Sequence, residues 1–303
     1  MKTTLSGASG FVGQNLVPYL NNKEHCVHTL SLRQKDWQSS IPTTTEVIIH
    51  LAGKAHDTAN TSSTDEYFKV NRDLTIALFD YFIKSDTKDF FYFSSVKAVA
   101  DTVEGVLKED VIPKPYSPYG QSKQEAEQYL LNASIPEGKR VFIIRPCMIH
   151  GPGNKGNLNL LYKVVEKSIP WPLASFDNHR SFLSVDNLCY LVNEMMQNAD
   201  VSSGVYNFSD DKALSTNELV TLIAKASNKK PKLWHISKGV MNSIASIGDK
   251  IKLPLNSERL KKLTENYVVS NDKVKEALGI EKLPVSVEEG IIKTVNSFMK
   301  MEV

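Results

Sequence analysis

The chain has only three cysteines, Cys26, Cys147 and Cys189, and no C-x-x-C pair. An odd count without metal-ligand spacing gives no disulfide framework and no zinc site, and it fits a reducing compartment. His50 and His56 flank an apolar run, but no third ligand stands at useful spacing, so no metal is expected. No stretch of about 18 apolar residues occurs, so neither a membrane span nor a membrane partner is expected. Gly7 and Gly10 break the opening MKTTLSGASG where a signal peptide needs continuous apolar sequence, and a cytoplasmic location is expected. Charge of one sign is also missing. The 36 Lys and Arg nearly balance 34 Asp and Glu, for a net of +2, which gives no footprint for nucleic acid. The basic cluster NKKPK at 228–232 reads as a solvated surface turn, and the hydroxyl-rich stretch Thr58–Thr64 as a mobile loop near a cofactor. There are no internal repeats and no low-complexity tracts.

What remains is ordinary globular composition, with 41% hydrophobic residues in 303, enough for one large domain or two modest ones. The first half alternates strands and helices. Strands are expected at 2–6, 26–31, 46–51, 90–94 and 141–145, and helices at 10–20, 65–84 and from Pro118 with Ser117 as N-cap. Pro18 should bend or end the first helix. Several strands are near-continuous apolar runs, as in a parallel sheet covered by helices on both faces. The expected class is α/β. A Rossmann-type doubly wound parallel sheet occupies 1–150, followed by a smaller mixed α/β region over 151–303 that binds substrate and returns some segments to the sheet. In that region helices are expected at 159–168, 186–198, 215–227 and 238–252, and short strands near 181–185 and 204–208.

Two features carry chemistry. Ser6-Gly7-Ala8-Ser9-Gly10-Phe11-Val12-Gly13 follows the first strand and opens the first helix. Gly7 allows the tight turn, Gly10 lets the backbone approach a pyrophosphate, and Gly13 lets the helix lie close to the sheet. The free N–H groups of the helix start then face phosphate. The second feature is Tyr119 and Lys123, four apart on one helix face. An adjacent ammonium favours the phenolate and should lower the tyrosine pKa, so that Tyr119 serves as acid or base while Lys123 also holds a ribose hydroxyl. Tyr19 and Lys23 match the same spacing, but far from the strand ends, and read as chance. Ser95, closing the fourth strand, can hydrogen-bond the substrate oxygen that Tyr119 serves; Ser94 alternates away. A dinucleotide loop followed by this pair is most simply a nicotinamide-dependent oxidoreductase or epimerase.

The second strand ends in Ser31, with Arg33 two residues on, where an NAD site usually has an acid. A hydroxyl and a guanidinium suit a 2′-phosphate, so the reading leans to NADP over NAD. The alternative is an exposed Arg33, with Asp36 supplying the acid from the loop. Asn157 and Arg180 are candidates for gripping a phosphorylated portion of the substrate.

Taken together these residues resemble the extended short-chain dehydrogenase/reductase family of nucleotide-sugar epimerases and dehydratases, over nearly the whole chain. SGASGFVG is similar to its opening loop, including Ser9, Phe11 and Val12. Ile49-His50-Leu51-Ala52-Gly53 is similar to its cofactor-lining third strand, and Val70-Asn71 to the segment that follows. Phe93-Ser94-Ser95 and Tyr119-Gly120-Gln121-Ser122-Lys123 resemble its catalytic strand and helix, and Arg145-Pro146 through Gly151-Pro152-Gly153 and 180–186 its later motifs. SSVKAV, GPGNKGN and PLASFDNHRSFLSVDNL are most similar to a bacterial surface-polysaccharide subgroup. That subgroup holds UDP-hexose 4-epimerase-like proteins and reductases of UDP-4-keto-6-deoxy-N-acetylhexosamines. His150 stands where tyrosine is common and Ala100 where glycine is, departures that bear on the substrate more than on the fold.

The resemblance implies cofactor contacts at Leu51, Ala52, Gly53 and Pro146, a UDP-sugar substrate, and a homodimer formed through 65–84 and 118–132. Dehydratases of the family carry an Asp-Glu pair where this chain has Val96 and Lys97, so dehydration is set aside. A C4 ketoreductase or 4-epimerase remains, and the NADP reading leans to the reductase. A non-catalytic dinucleotide-binding regulator on the same fold is the alternative from another class.

Overall fold

The computed structural model describes residues 1–54, 63–154, 156–251 and 255–301, without the side chains of Asn157 and Met301. His56 and positions 58–62 of the hydroxyl-rich loop lie outside the described residues.

Six strands form the central sheet: β1 (Lys2–Ser6), β2 (Cys26–Leu30), β3 (Val47–His50), β4 (Asp89–Phe93), β5 (Arg140–Pro146) and β6 (Gly204–Phe208). Their order is β6-β5-β4-β3-β1-β2, and every pairing is parallel. The chain leaves β1 for β2 on one side and returns to β3 on the other. The crevice where ligands bind open α/β sheets therefore lies past the ends of β1 and β3.

The apolar runs are explained by two-sided burial. Along β4, Phe91 and Phe93 pack on one face with Leu16 and Leu20 of helix α1 (Phe11–Asn22). Phe90 and Tyr92 pack on the other with Leu78, Phe79 and Phe82 of α2 (Leu74–Lys84) and Leu130 of α3 (Pro118–Asn132). Strand β5 alternates likewise, Phe142 and Ile144 against Val141 and Ile143. A one-residue slip would exchange the two faces, so the register is strongly specified.

Two expectations change. Helix α1 runs through Pro18 to Asn22. Pro18 is exposed, so water can serve the carbonyl it leaves without a donor, while Leu16 and Leu20 anchor the helix on either side. The segment 65–84 is not one regular helix. A short helix Thr64–Tyr67 passes into a π-helical turn, Phe68–Asp73, before α2.

Beyond β5, a third apolar cluster joins the helices Asn157–Glu166, Thr216–Ala226 and Val287–Met301 through Tyr162, Ile223, Ile291 and Phe298. The sequence reading placed no helix after 252, whereas Ser257–Thr264, Asp272–Leu278 and Val287–Met301 are helical. Strand β6, read as part of the mixed region, pairs with β5 in the main sheet. His150 is buried at the join, where its Nδ1 lies 2.9 Å from the Thr294 hydroxyl.

Candidate active site

The glycine loop turns at the switch point. Gly7 has φ +83, and a Cβ there would stand 2.5 Å from the Ala52 nitrogen. A Cβ on Gly13 would lie 2.4 Å from the Gly7 carbonyl oxygen and 2.6 Å from Ala8 Cα. Both contacts are with backbone and cannot be relieved by a rotamer. Gly10 differs, because its Cβ would meet only the Gly7 oxygen, at an ordinary 3.4 Å. The protein therefore demands glycine at 7 and 13 but leaves the space at Gly10 open. Gly10 also caps α1 without a side chain, and no acid stands in the first turn. An uncapped helix start with an open cradle fits a pyrophosphate.

Leu51, Ala52 and Gly53 lie directly after β3, beside the loop; the Leu51 N–H donates to the Ser6 carbonyl at 3.0 Å. Ser31 and Arg33 follow β2, both exposed, with Leu32 buried between them. Asp36 is exposed as well and caps a 3-10 turn without a side-chain bond. Pro146 is the last residue of β5.

The catalytic candidates converge on the ends of β4 and β3. Ser95 follows β4, and its Oγ accepts the Lys97 N–H at 3.2 Å, capping a 3-10 turn over Val96–Ala98. The Tyr119 hydroxyl lies near that of Ser95. Tyr119 stands in the first turn of α3, which Ser117 caps by accepting the Gly120 N–H at 3.2 Å. Asp101 fixes this start by accepting from the N–H groups of Tyr116 and Ser117 and from the Ser117 hydroxyl. The Tyr119 ring meets Tyr67 edge-on at 6.1 Å. Lys123 is buried one turn on, and its ammonium donates to the Phe93 carbonyl at 2.8 Å. A Cβ on Gly53 would be 3.2 Å from the Lys123 Nζ, so the lysine head reaches the strand end beside the glycine loop.

The electrostatics correct one expectation. Burial pushes the Tyr119 hydroxyl above its ordinary value, and the nearby Ser95 hydroxyl only partly offsets this. Lys123 donates instead to the Phe93 carbonyl. Burial lowers the ammonium itself to about 8, against the opposing pull of Glu127. Tyr119 is thus a neutral phenol at neutral pH.

Several residues have roles that the sequence reading does not assign. Asn71, in the π-helical turn, accepts the Lys54 N–H at 2.7 Å and donates to the Ser122 hydroxyl at 3.1 Å. Ser122 in turn donates to the Tyr119 carbonyl at 2.8 Å. The π turn thereby aims a polar side chain at α3, which carries Tyr119 and Lys123, a recurrent use of such turns. Gly120 must be glycine, since a Cβ would lie 2.4 Å from the Lys97 carbonyl oxygen. Tyr267, from the far end of the chain, donates to the carbonyl oxygens of Ala100 at 2.7 Å and Val96 at 3.2 Å, bracing the turn after Ser95. The Lys97 ammonium lies over the same ring at 4.3 Å.

His50 is structural. It is buried between the hydroxyls of Ser6 and Thr75, and burial lowers its pKa to about 3. No His, Cys, Asp or Glu cluster suited to a metal occurs among the described residues. The guanidinium of Arg180 donates to the carbonyls of Lys262 and Glu265 and lies 3.6 Å from the Glu265 carboxylate. Asn157 begins a helix, with its side chain outside the description. Tyr19 and Lys23 sit at the opposite end of α1, with the ammonium 6.0 Å from the ring.

The chain is similar to known proteins. The model of the "NAD dependent epimerase/dehydratase family" matches residues 3–209. The UDP-glucose 4-epimerase of Vibrio cholerae is 30% identical over 98% of this chain and 95% of its own. The N-acetyl-alpha-D-glucosaminyl-diphospho-ditrans,octacis-undecaprenol 4-epimerase of Escherichia coli O157:H7 is 27% identical over 77% of this chain and 74% of its own. The solved UDP-glucose 4-epimerase of Thermotoga maritima, with UDP-glucose, superposes with a TM-score of 0.77 at 21% identity, over 100% of both chains, a likeness of fold. The protein therefore belongs to the NAD-dependent epimerase/dehydratase family, as an NAD(P)-dependent enzyme of its nucleotide-sugar epimerase and reductase branch.

Proposed function

We propose that the enzyme acts at C4 of a UDP-linked N-acetylhexosamine, as a 4-keto-reductase or 4-epimerase of surface polysaccharide synthesis. The observation that carries this is the convergence of Ser95, Tyr119 and Lys123 on the strand ends beside the glycine loop. The relatives support C4 as the position and, through the glucosaminyl-diphospho relative, an N-acetylated sugar.

Residues 1–150 would hold the dinucleotide and 151–303 most of the sugar nucleotide. Gly7, Ser9, Gly10, Phe11, Val12 and Gly13 would cradle the pyrophosphate, and Ser31 with Arg33 would take a 2′-phosphate. Leu51, Ala52, Gly53 and Pro146 would line the remainder, and Lys123 would hold the ribose hydroxyls. When bound, the nicotinamide supplies or accepts the hydride at C4. Tyr119 gives its proton to O4 as the carbonyl is reduced, or takes it in the reverse sense, while Ser95 holds O4 in place. A phenol that burial keeps protonated is poised as an acid, which favours the reducing direction. Arg180 would grip the diphosphate only after exchanging its present carbonyl partners. We further propose a cytoplasmic homodimer formed through 65–84 and 118–132, where Tyr129 and Leu131 are exposed.

The test is mass spectrometry of the undenatured protein, followed by NADPH and NADH titrations and a panel of UDP-4-keto-sugars and UDP-hexoses. Preference for NADPH with turnover of a 4-keto-sugar supports the reductase. Tightly retained NAD would make the enzyme an epimerase and would overturn the role of Arg33. No turnover on any member of the panel would remove the C4 assignment.

The glycines allow a paired prediction. Gly13→Ala forces backbone apart and should cost about 1–3 kcal/mol, read as a lower Tm. Gly10→Ala should leave Tm unchanged yet weaken dinucleotide binding roughly tenfold or more, about 1.4 kcal/mol. Equal effects of the two on Tm would remove Gly10 from the phosphate cradle.

A further inference from the structure

We propose that helix α4 (Lys238–Ile251), with Trp234 beside it, docks the protein on the surface of an anionic lipid bilayer. Val240, Ile244, Ile247 and Ile251 are 51%, 39%, 54% and 63% exposed. At 3.6 residues per turn they lie within about 60° of one another, a single aliphatic line along the helix. Trp234 is 56% exposed, whereas Trp37 and Trp171 are buried. Single exposed apolar residues need no explanation, but a continuous line of four with an exposed indole does.

The line is rigidly mounted. Met241, Ala245 and Gly248 form the buried flank of α4. Gly248 abuts the Leu255 carbonyl, and the Asp249 carboxylate accepts from the N–H and hydroxyl of Ser257 at the start of α5 (Ser257–Thr264). Trp234 is held by backbone bonds to Trp171 and Ala174.

Charge selects the partner. Between Lys225 and Lys262 there are ten Lys and Arg against two Asp and Glu, a net of +8 in a chain whose net is +2; the remainder carries −6. Both acids are already engaged, Asp249 with Ser257 and Glu258 with Lys262. Lys225, Lys230, Lys232, Lys238, Lys250 and Lys261 are exposed. A second copy would set these exposed lysines against their own equivalents, which opposes a symmetric contact. Nucleic acid would use the cations but not a line of isoleucines. Aliphatic and aromatic side chains flanked by lysines are what an interfacial helix presents to acidic headgroups.

Among the described residues no helix is long and apolar enough to cross a membrane. The expectation of no membrane partner came from that criterion, which registers a span and not a helix lying in the interface. The NKKPK turn, read as merely solvated, leads directly into Trp234. The face adjoins the proposed substrate side, since the Lys262 carbonyl accepts from Arg180 and the Lys238 ammonium lies 5.7 Å from the Phe176 ring.

The full chain would be floated with phosphatidylcholine vesicles, with and without about 30% phosphatidylglycerol. Wild type should float with the anionic vesicles at least about tenfold more than with the neutral ones, and about 0.5 M salt should release it. Trp emission should shift to the blue on those vesicles, and not in Trp234→Phe. The Ile244→Glu/Ile247→Glu and Lys230→Glu/Lys232→Glu variants should each lose flotation about tenfold while keeping the wild-type Tm. Failure of wild type to float, or flotation unchanged in both variants, would overturn the proposal. So would a dimer broken by Ile244→Glu/Ile247→Glu in a protein that ignores vesicles, which would give the face to a second copy.

Discussion

Tyr119→Phe should leave the fold and dinucleotide affinity intact and lower turnover by at least about a hundredfold. The substitution removes one oxygen. The ring keeps its edge contact with Tyr67, and the helix start keeps the Ser117 cap and the Asp101 bonds. What is lost is the proton at O4. Ser95→Ala should cost less, because it removes only the group that holds O4. Its Oγ also caps the turn through the Lys97 N–H, so a lower Tm is expected in that variant and not in Tyr119→Phe. The two effects should not add, since both residues serve the same substrate oxygen. Stopped-flow turnover of a 4-keto-sugar beside a fluorescence titration of cofactor separates the cases. Near-normal turnover in Tyr119→Phe would end the acid–base assignment.

The parts of the site that could be read from sequence are those made by neighbours in the chain. The glycine loop is a strand, a turn and a helix start within eight residues, and the Tyr119–Lys123 pair is one helical turn. Ser95 declares itself by closing an aromatic strand buried on both faces. The missing parts are those made across distance. Tyr267 reaches Val96 and Ala100 from about 170 residues away, and Asn71 reaches Ser122 from about 50, so no spacing announces either. The π turn defeats a period of 3.6, because it inserts a residue into a helix whose apolar pattern on either side still looks regular. Arg180 was legible as a cation, but its carbonyl partners at Lys262 and Glu265 were not. The interaction of Lys123 with Tyr119 failed for a related reason. Spacing shows that two side chains share a face, not that the lysine prefers the Phe93 carbonyl or that burial outweighs its charge.

Glu127→Gln should destabilise the protein by about 3 kcal/mol and shift a pH profile at the same time. Glu127 and Arg145 are 1% and 3% exposed, and the guanidinium donates to both carboxylate oxygens, at 2.5–3.1 Å. Neutralising the acid strands a buried cation, which costs more than the pair itself contributes. Replacing both residues with methionine should therefore cost less than Glu127→Gln alone, and a double variant equal to the sum of its singles would refute this account. The second consequence runs through the catalytic helix. Glu127 stands one turn beyond Lys123, and its charge is the one influence that raises the lysine above what burial alone would impose. Removing that charge should take the ammonium below about 8, so the limb of the activity profile that reports a charged Lys123 should move to lower pH. Stability should follow with a fixed sign. The folded lysine releases its proton near 8 and the unfolded one near 10.5, so the unfolded chain binds more protons between these values and stability rises with pH across the window. In Glu127→Gln the window should open at lower pH. Loss of packing alone would lower Tm at every pH and leave both curves unshifted, and that result would show Glu127 to be structural only.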